Sequence, residues 1–292
     1  MRLRRALALE CRLLERRGMR HQPTAALAIA TRVPSKSKTT ITRRLPATLT
    51  AGERESVARF VTRFIAYPRA KLDAVLDAAD YVWLCHDDAG NLVGTTAVRL
   101  LPVRVRGRAA RVIYTSMVAV DPAHRGTSII TTLGARSYLI ERVRAPLVPL
   151  YWLALSASPS GYLQMARHMD TFWPRAAHET PDDARQVIAQ SLAFLGITKI
   201  EEVEGCIRLP DDFGVSDRQQ DPKRWDRSDP DVAFFLRVNP DYQRGSDLAC
   251  VCRLDALQIA GGVARAVTRR VRSSPRRRTA PPAVVSSVEA RA

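Results

Sequence analysis

The residues best equipped for chemistry in this 292-residue chain stand in one turn, Ala123-His124-Arg125-Gly126, and in the Thr127 that follows it. Arg125 supplies a fixed positive charge whose planar donors match phosphate oxygens. Gly126 lets a backbone come close to a ligand, and Thr127 is a helix N-cap candidate. A helix start carries unpaired N–H groups and the positive end of its dipole, so the chemistry on offer is anion binding. The same residues also fit a plain connection between a strand and a helix, and local pattern alone leaves both readings open.

Two elements must position that turn. Val112 to Val120 is a run of β-branched and apolar residues that predicts a buried strand. Asp121-Pro122 ends it, because proline has no N–H for a ladder and restricts the residue before it. Beyond the turn, Ile129, Leu133, Ile140 and Val143 recur at helical spacing, and Pro146 closes that helix.

The flanking order extends the pattern. Thr40 to Leu45 predicts a short strand, and Thr50-Ala51-Gly52-Glu53 is a capping box opening a helix with Val57, Phe60, Val61, Phe64 and Ile65 on one face. A second helix, about 70–79, follows Pro68. Strands over Tyr81–His86 and Leu92–Val105 flank a hairpin loop, Asp87 to Asn91, and Arg106-Gly107-Arg108 turns into the central strand. Val148–Ser156 predicts a strand, Ser160–Met169 and Pro181–Leu195 helices, and Val203–Leu209, Val232–Leu236 and Leu248–Leu254 further strands. Residues 211–231 are polar and read as a long surface loop or lid. From 40 to about 170 the order is βααβββαβα.

Val118-Ala119-Val120-Asp121-Pro122-Ala123-His124-Arg125-Gly126, in this element order, resembles the central motif of the GNAT acyltransferase superfamily. The resemblance implies an α+β fold, a mixed, mostly antiparallel sheet flanked by helices. It implies acetyl-CoA or another acyl-CoA as co-substrate, with no metal. Val118, Ala119 and Val120 match the strand residues that pair with the pantetheine arm. Arg125, Gly126, Thr127, Ser128, Ile129 and Ile130 match the loop that wraps the pyrophosphate, with Ser128 and Ile130 standing at the family's glycine positions. The family's oxyanion amide, near a bulge in the central strand, would belong to Met117–Ala119. The family's proton-donating tyrosine position is Met165 here, which has no proton to give; Tyr162, three residues earlier, is the substitute candidate, with a core role as its alternative. His86, Asp87, Asp88 and His168 are candidates for the base and none is assigned; Ser156 and Ser158 stand at the end of a strand where substrate-facing groups sit.

Charge adds a second theme. The formal net charge is +17, yet residues 1–40 hold ten Lys/Arg against two Glu and residues 265–292 hold eight Arg against one Glu, leaving residues 41–264 at +2. Residues 1–39 read as a basic, poorly ordered extension, with Met19 a candidate start, 40–264 as the acyltransferase domain, and 265–292 as a disordered Arg-rich tail. No aromatic residues interleave with the tail arginines, so nucleic acid is not the expected partner. The five cysteines form no Cys-x-x-Cys pair, no metal site is expected, and a reduced, cytoplasmic protein fits. No apolar run approaches the roughly 20 residues of a membrane span. Three functions stay open: transfer of acetyl from acetyl-CoA to a small-molecule or protein amine, by direct attack in a ternary complex; N-acylation with a longer chain from an acidic acyl carrier protein; and a non-catalytic relative.

Overall fold

The computed structural model describes residues 39–125, 129–210, 225–256 and 258–262. The basic extension and the Arg-rich tail expected from the sequence lie outside the described residues, as does most of the expected 211–231 loop.

Eight strands form one sheet in the order β1-β2-β3-β4-β5-β8-β7-β6. They are β1 (Thr40–Arg44), β2 (Tyr81–His86), β3 (Leu92–Val105), β4 (Arg108–Val120), β5 (Leu150–Ser156), β6 (Glu201–Val203), β7 (Cys206–Leu209) and β8 (Asp247–Leu254). Every neighbouring pair is antiparallel except β4 and β5, which run parallel. The mixed, mostly antiparallel sheet expected from the sequence is therefore present. Its hairpins follow local chemistry: Arg106 and Gly107 both take positive φ between β3 and β4, as a two-residue loop matched to strand twist requires.

The helices are α1 (Ala51–Val61), α2 (Arg69–Asp77), α3 (Ile129–Arg144), α4 (Pro159–His168), α5 (Asp182–Phe194) and α6 (Pro230–Val238). The capping box of α1 is formed: the Glu53 amide donates to the Thr50 hydroxyl and the Thr50 amide donates to the Glu53 carboxylate. Strand alternation sorts the core into two faces. Trp83, Ile113, Cys250 and Cys252 point to the side covered by α3, α4 and α6. Val112 and Val251 point to the opposite side under α5, and Val82, Leu84 and Ala97 to the same side under α1 and α2.

Three expectations are corrected. Residues 232–236 are helical, within α6: Asp229 caps the helix through the Asp231 and Val232 amides and Pro230 stands at its first turn, so a start signal outweighed a short apolar run. The expected strand 203–209 is two strands, split by Glu204 and Gly205 at positive φ. The buried face of α3 is Ile129, Leu133, Ser137, Tyr138 and Glu141, whereas Val143 is 75% exposed. Glu141 is fully buried because Arg111 and Arg144 hold its carboxylate at 2.9 and 3.1 Å, tying the end of α3 to β4.

Candidate active site

The site forms where two parallel strands stop pairing. β4 and β5 are in register from Arg111–Leu150 to Thr115–Ala154. β4 then runs on to Val120, bonded to β3 alone. In a parallel ladder alternate residues aim their N–H and C=O groups at the neighbouring strand. Beyond Thr115 the edge of β4 that faced β5 therefore offers such groups to whatever enters the gap.

A bulge in β4 lies within this parted segment. Thr95 pairs with Ala119 and Ala97 with Ser116, so Met117 and Val118 together stand opposite Thr96. Met117 takes φ +49°, a left-handed conformation that costs a residue with a side chain about 1 kcal/mol or more and collects at functional sites. The extra residue also shifts parity. Val118 and Val120 thereby join Ile113 and Thr115 on the face toward α3 and α4, while Met117 and Ala119 turn to the α1 side. The bulge stands where the resemblance asked for one.

On the α3–α4 face, the parted strands floor an open cleft. Ile130 and Thr131 of α3 line it near the turn, and Trp152, Gln164 and His168 line it from the β5–α4 side. Several of its polar groups bond within the protein framework. Trp152 Nε1 donates to Thr115 Oγ1 at 2.9 Å, Trp83 Nε1 donates to Ser137 Oγ at 2.9 Å, and Thr95 Oγ1 donates to the Trp83 carbonyl at 3.0 Å. His168 Nδ1 lies 2.9 Å from the Gln164 carbonyl. The surface left facing the cleft is mostly apolar.

The turn is braced from the α1 side. Asp121 accepts from the Ala123 amide at 2.9 Å and from Arg63 at 3.1 Å. Burial alone would raise its carboxyl, but that amide and Arg63 together hold it below its ordinary value. Arg125 is exposed, donates to the Val120 carbonyl at 3.4 Å, and lies 5.7 Å from the Phe64 ring centroid, with Arg63 at 5.3 Å from the same ring. Phe64 was read from the sequence only as a core residue; its place under the two arginines carries no local signal.

The sequence candidates separate in space. Val118, Val120 and Ile130 line the cleft, Ala119 and Ile129 are buried beside it, and Arg125 stands by the end of β4. Gly126, Thr127 and Ser128 lie outside the described residues. Tyr162 does not fit as the proton donor. It is fully buried among Phe172, Phe234 and Phe235, its hydroxyl donates to the Pro174 carbonyl at 3.2 Å, and it does not line the cleft. Burial pushes its phenol far above the ordinary value. Asp87 is spent on its hairpin, accepting from the Ala89 and Asn91 amides. Ser156 and Ser158 are buried, Ser158 within 2.8 Å of the Ser160 hydroxyl. Among the described residues, no group of three or more His, Cys, Asp or Glu side chains is placed to hold a metal ion, and no helix is long and apolar enough to cross a membrane.

In comparison with known proteins, residues 55–165 match the model of the acetyltransferase (GNAT) domain. The chain carries a GNAT domain. The match runs from within α1 to within α4, over most of the elements that build the cleft. A search of curated proteins returned no match. Among solved structures, an acyl-CoA N-acyltransferase from Pseudomonas aeruginosa is similar at 20% identity, with 40% of this chain and 80% of that chain covered and a TM-score of 0.32. The GNAT family N-acetyltransferase YhbS from Escherichia coli, in complex with CoA, is similar at 18% identity over 45% of this chain and 69% of that one, with a TM-score of 0.33. A predicted acetyltransferase with acetyl-CoA from Clostridium acetobutylicum is similar at 12% identity over 50% and 93%, with a TM-score of 0.35. The GNAT likeness of this segment rests on the match of 55–165.

Proposed function

We propose that this protein is an acyl-CoA-dependent N-acyltransferase, with acetyl-CoA as the reference donor and an amine as acceptor. The observation that carries the reading is the parted β4–β5 pair, with its bulge at Met117 and the helix α3 beginning beside Arg125. An extended pantetheine arm, itself built on amides, would complete the ladder that β4 leaves open after Thr115, as a strand added to a sheet edge does. The pyrophosphate would lie by Arg125 and the start of α3.

In this arrangement the amine nitrogen attacks the thioester carbonyl while both substrates are bound. The carbon–nitrogen bond forms, the carbon–sulfur bond breaks, the amine gives up a proton and the departing thiolate takes one. Main-chain amides around Met117–Ala119 would stabilise the negative charge that develops on the carbonyl oxygen. No side chain is assigned as acid or base.

Release of free thiol from acetyl-CoA, followed over a panel of small amines and amine-bearing peptides, tests the reading. Thiol release that needs the amine, with rate patterns requiring both substrates bound together, is expected. Release that proceeds equally without amine, through a covalent acyl-enzyme, would contradict it.

A further inference from the structure

The cleft does not end where β4 and β5 part. The thioester end of a pantetheine arm laid along residues 116–120 would sit near Thr115, the last paired residue. Below that point the cleft continues over Ile113 and Trp152 to Leu254, Ile259 and Gly262. From Val118 down to Ile113 is about 16 Å of strand. An acetyl group needs none of this lower space.

A second observation concerns Gly134, in the interior of α3 and on the cleft wall. A glycine there costs a helix roughly 0.5–1 kcal/mol relative to alanine. Its helical φ does not require glycine, and a Cβ built on it would meet nothing within 4 Å. Neither backbone geometry nor crowding accounts for a glycine at this position. It is exposed, and it adds no side chain to the cleft wall. The polar groups bordering the lower cleft, Thr115, Ser137 and Trp152, each take part in a hydrogen bond within the protein.

The geometry points to an acyl donor longer than acetyl, a medium-chain acyl thioester whose alkyl chain lies in the lower cleft between α3 and α4, past Gly134 and over Trp152. This inference rests on the acyl-CoA reading and names the donor class of that same site. The transfer step is unchanged: the acyl carbon passes from sulfur to the amine nitrogen, and the chain is only held.

The full-length protein is titrated by calorimetry with acetyl-CoA and octanoyl-CoA, and with acetyl- and octanoyl-pantetheine, which lack the nucleotide. Each methylene withdrawn from water tightens binding by about fourfold, so an octanoyl-over-acetyl preference of roughly a hundredfold, if about half of the six added methylenes are withdrawn, to several thousandfold, if all are, is expected with either carrier. Gly134→Leu, which fills the open space with a good helix former, should cut that preference at least tenfold. If wild type binds both CoA thioesters within threefold of each other, the chain-length inference is overturned and the acyltransferase reading stands. A preference that survives Gly134→Leu undiminished overturns the placement of the chain. If the preference appears with pantetheine but CoA binds no better than pantetheine, the lower cleft is supported and the nucleotide loop falls. If no thioester binds, both fall.

Discussion

The two halves of β4 are built from the same kind of residue and do opposite work. From Arg111 to Thr115 the strand is laddered to β3 on one side and β5 on the other, and Val112 is fully buried. From Ser116 to Val120 it is laddered to β3 only, it carries a residue at φ +49°, and Val118 is 41% exposed. Hydrophobicity does not distinguish Val112 from Val118. What separates them is whether the neighbouring strand is still there. The lower half spends its apolar side chains on stability, whereas in the upper half Val118 and Val120 line the cleft beside an open backbone edge.

If that division holds, substitutions should sort by half. Leu153 of β5 is fully buried beside the paired half, so Leu153→Ala should lower unfolding free energy by about 2–5 kcal/mol in urea titrations. Val118→Ala, in the exposed half, should change it by no more than about 0.5 kcal/mol. Equal losses at the two sites would erase the distinction.

Arg125→Ala comes next. It removes one charge-assisted phosphate contact, worth about 1.5–3 kcal/mol of coenzyme affinity, or roughly tenfold to a hundred-and-fifty-fold in Kd. Because the side chain is exposed, the urea midpoint should barely move. Calorimetry with CoA at fixed salt reads the first, and unchanged affinity would detach the turn from the site.

Far from either half, Thr50→Ala breaks the α1 capping box and should cost about 1 kcal/mol without altering CoA affinity. Its pH dependence has a definite sign. The Thr50 amide leads the groups that hold the Glu53 carboxyl below its ordinary 4.5. The contribution is therefore complete above that value and is lost as pH falls through the lower folded value. Because Thr50→Ala keeps that amide, the acid test uses Glu53→Gln, and the gap between wild type and this variant in acid titrations should narrow below about pH 4.5. A gap that widened with acid would refute the cap as its source.

The smallest effect is chemical silence. Burial pushes the thiols of Cys85 and Cys250 up to about 12 and that of Cys206 to about 11, and raises Cys252 as well. All four are free and buried. They should resist alkylation near pH 8 until the protein unfolds; rapid labelling of any of them in the native protein, mapped by mass spectrometry, would show that the core opens.

Much of the frame was legible because it is written in local chemistry. The Asp87–Asn91 loop and its two strands, the Thr50–Glu53 box and the Asp121-Pro122 stop are each short-range signals, and each was found at its place. The site was legible only as a neighbourhood. The bulge at Met117 is a mismatch between two strands and leaves no mark in β4 read alone, so only the resemblance pointed to it. Tyr162 failed as a donor because one helical turn from Met165 still faces the aromatic core of Phe172, Phe234 and Phe235. Gly134 could have been noticed, as a glycine within a helical run, but its meaning depends on the empty space beside it. α6 was missed because Val232 to Leu236 is too short a run to show a period, while Asp229-Pro230 ahead of it is the better guide.

The central claim is that coenzyme completes the ladder of the upper half of β4. Hydrogen exchange with mass-spectrometric detection, on the full-length protein with and without saturating CoA, tests it most directly. Amides in residues 116–120 should exchange markedly more slowly when CoA is bound, while those in 111–115, already laddered on both sides, should not change. Saturating CoA that leaves 116–120 unaltered, or that protects a different surface instead, would contradict the account.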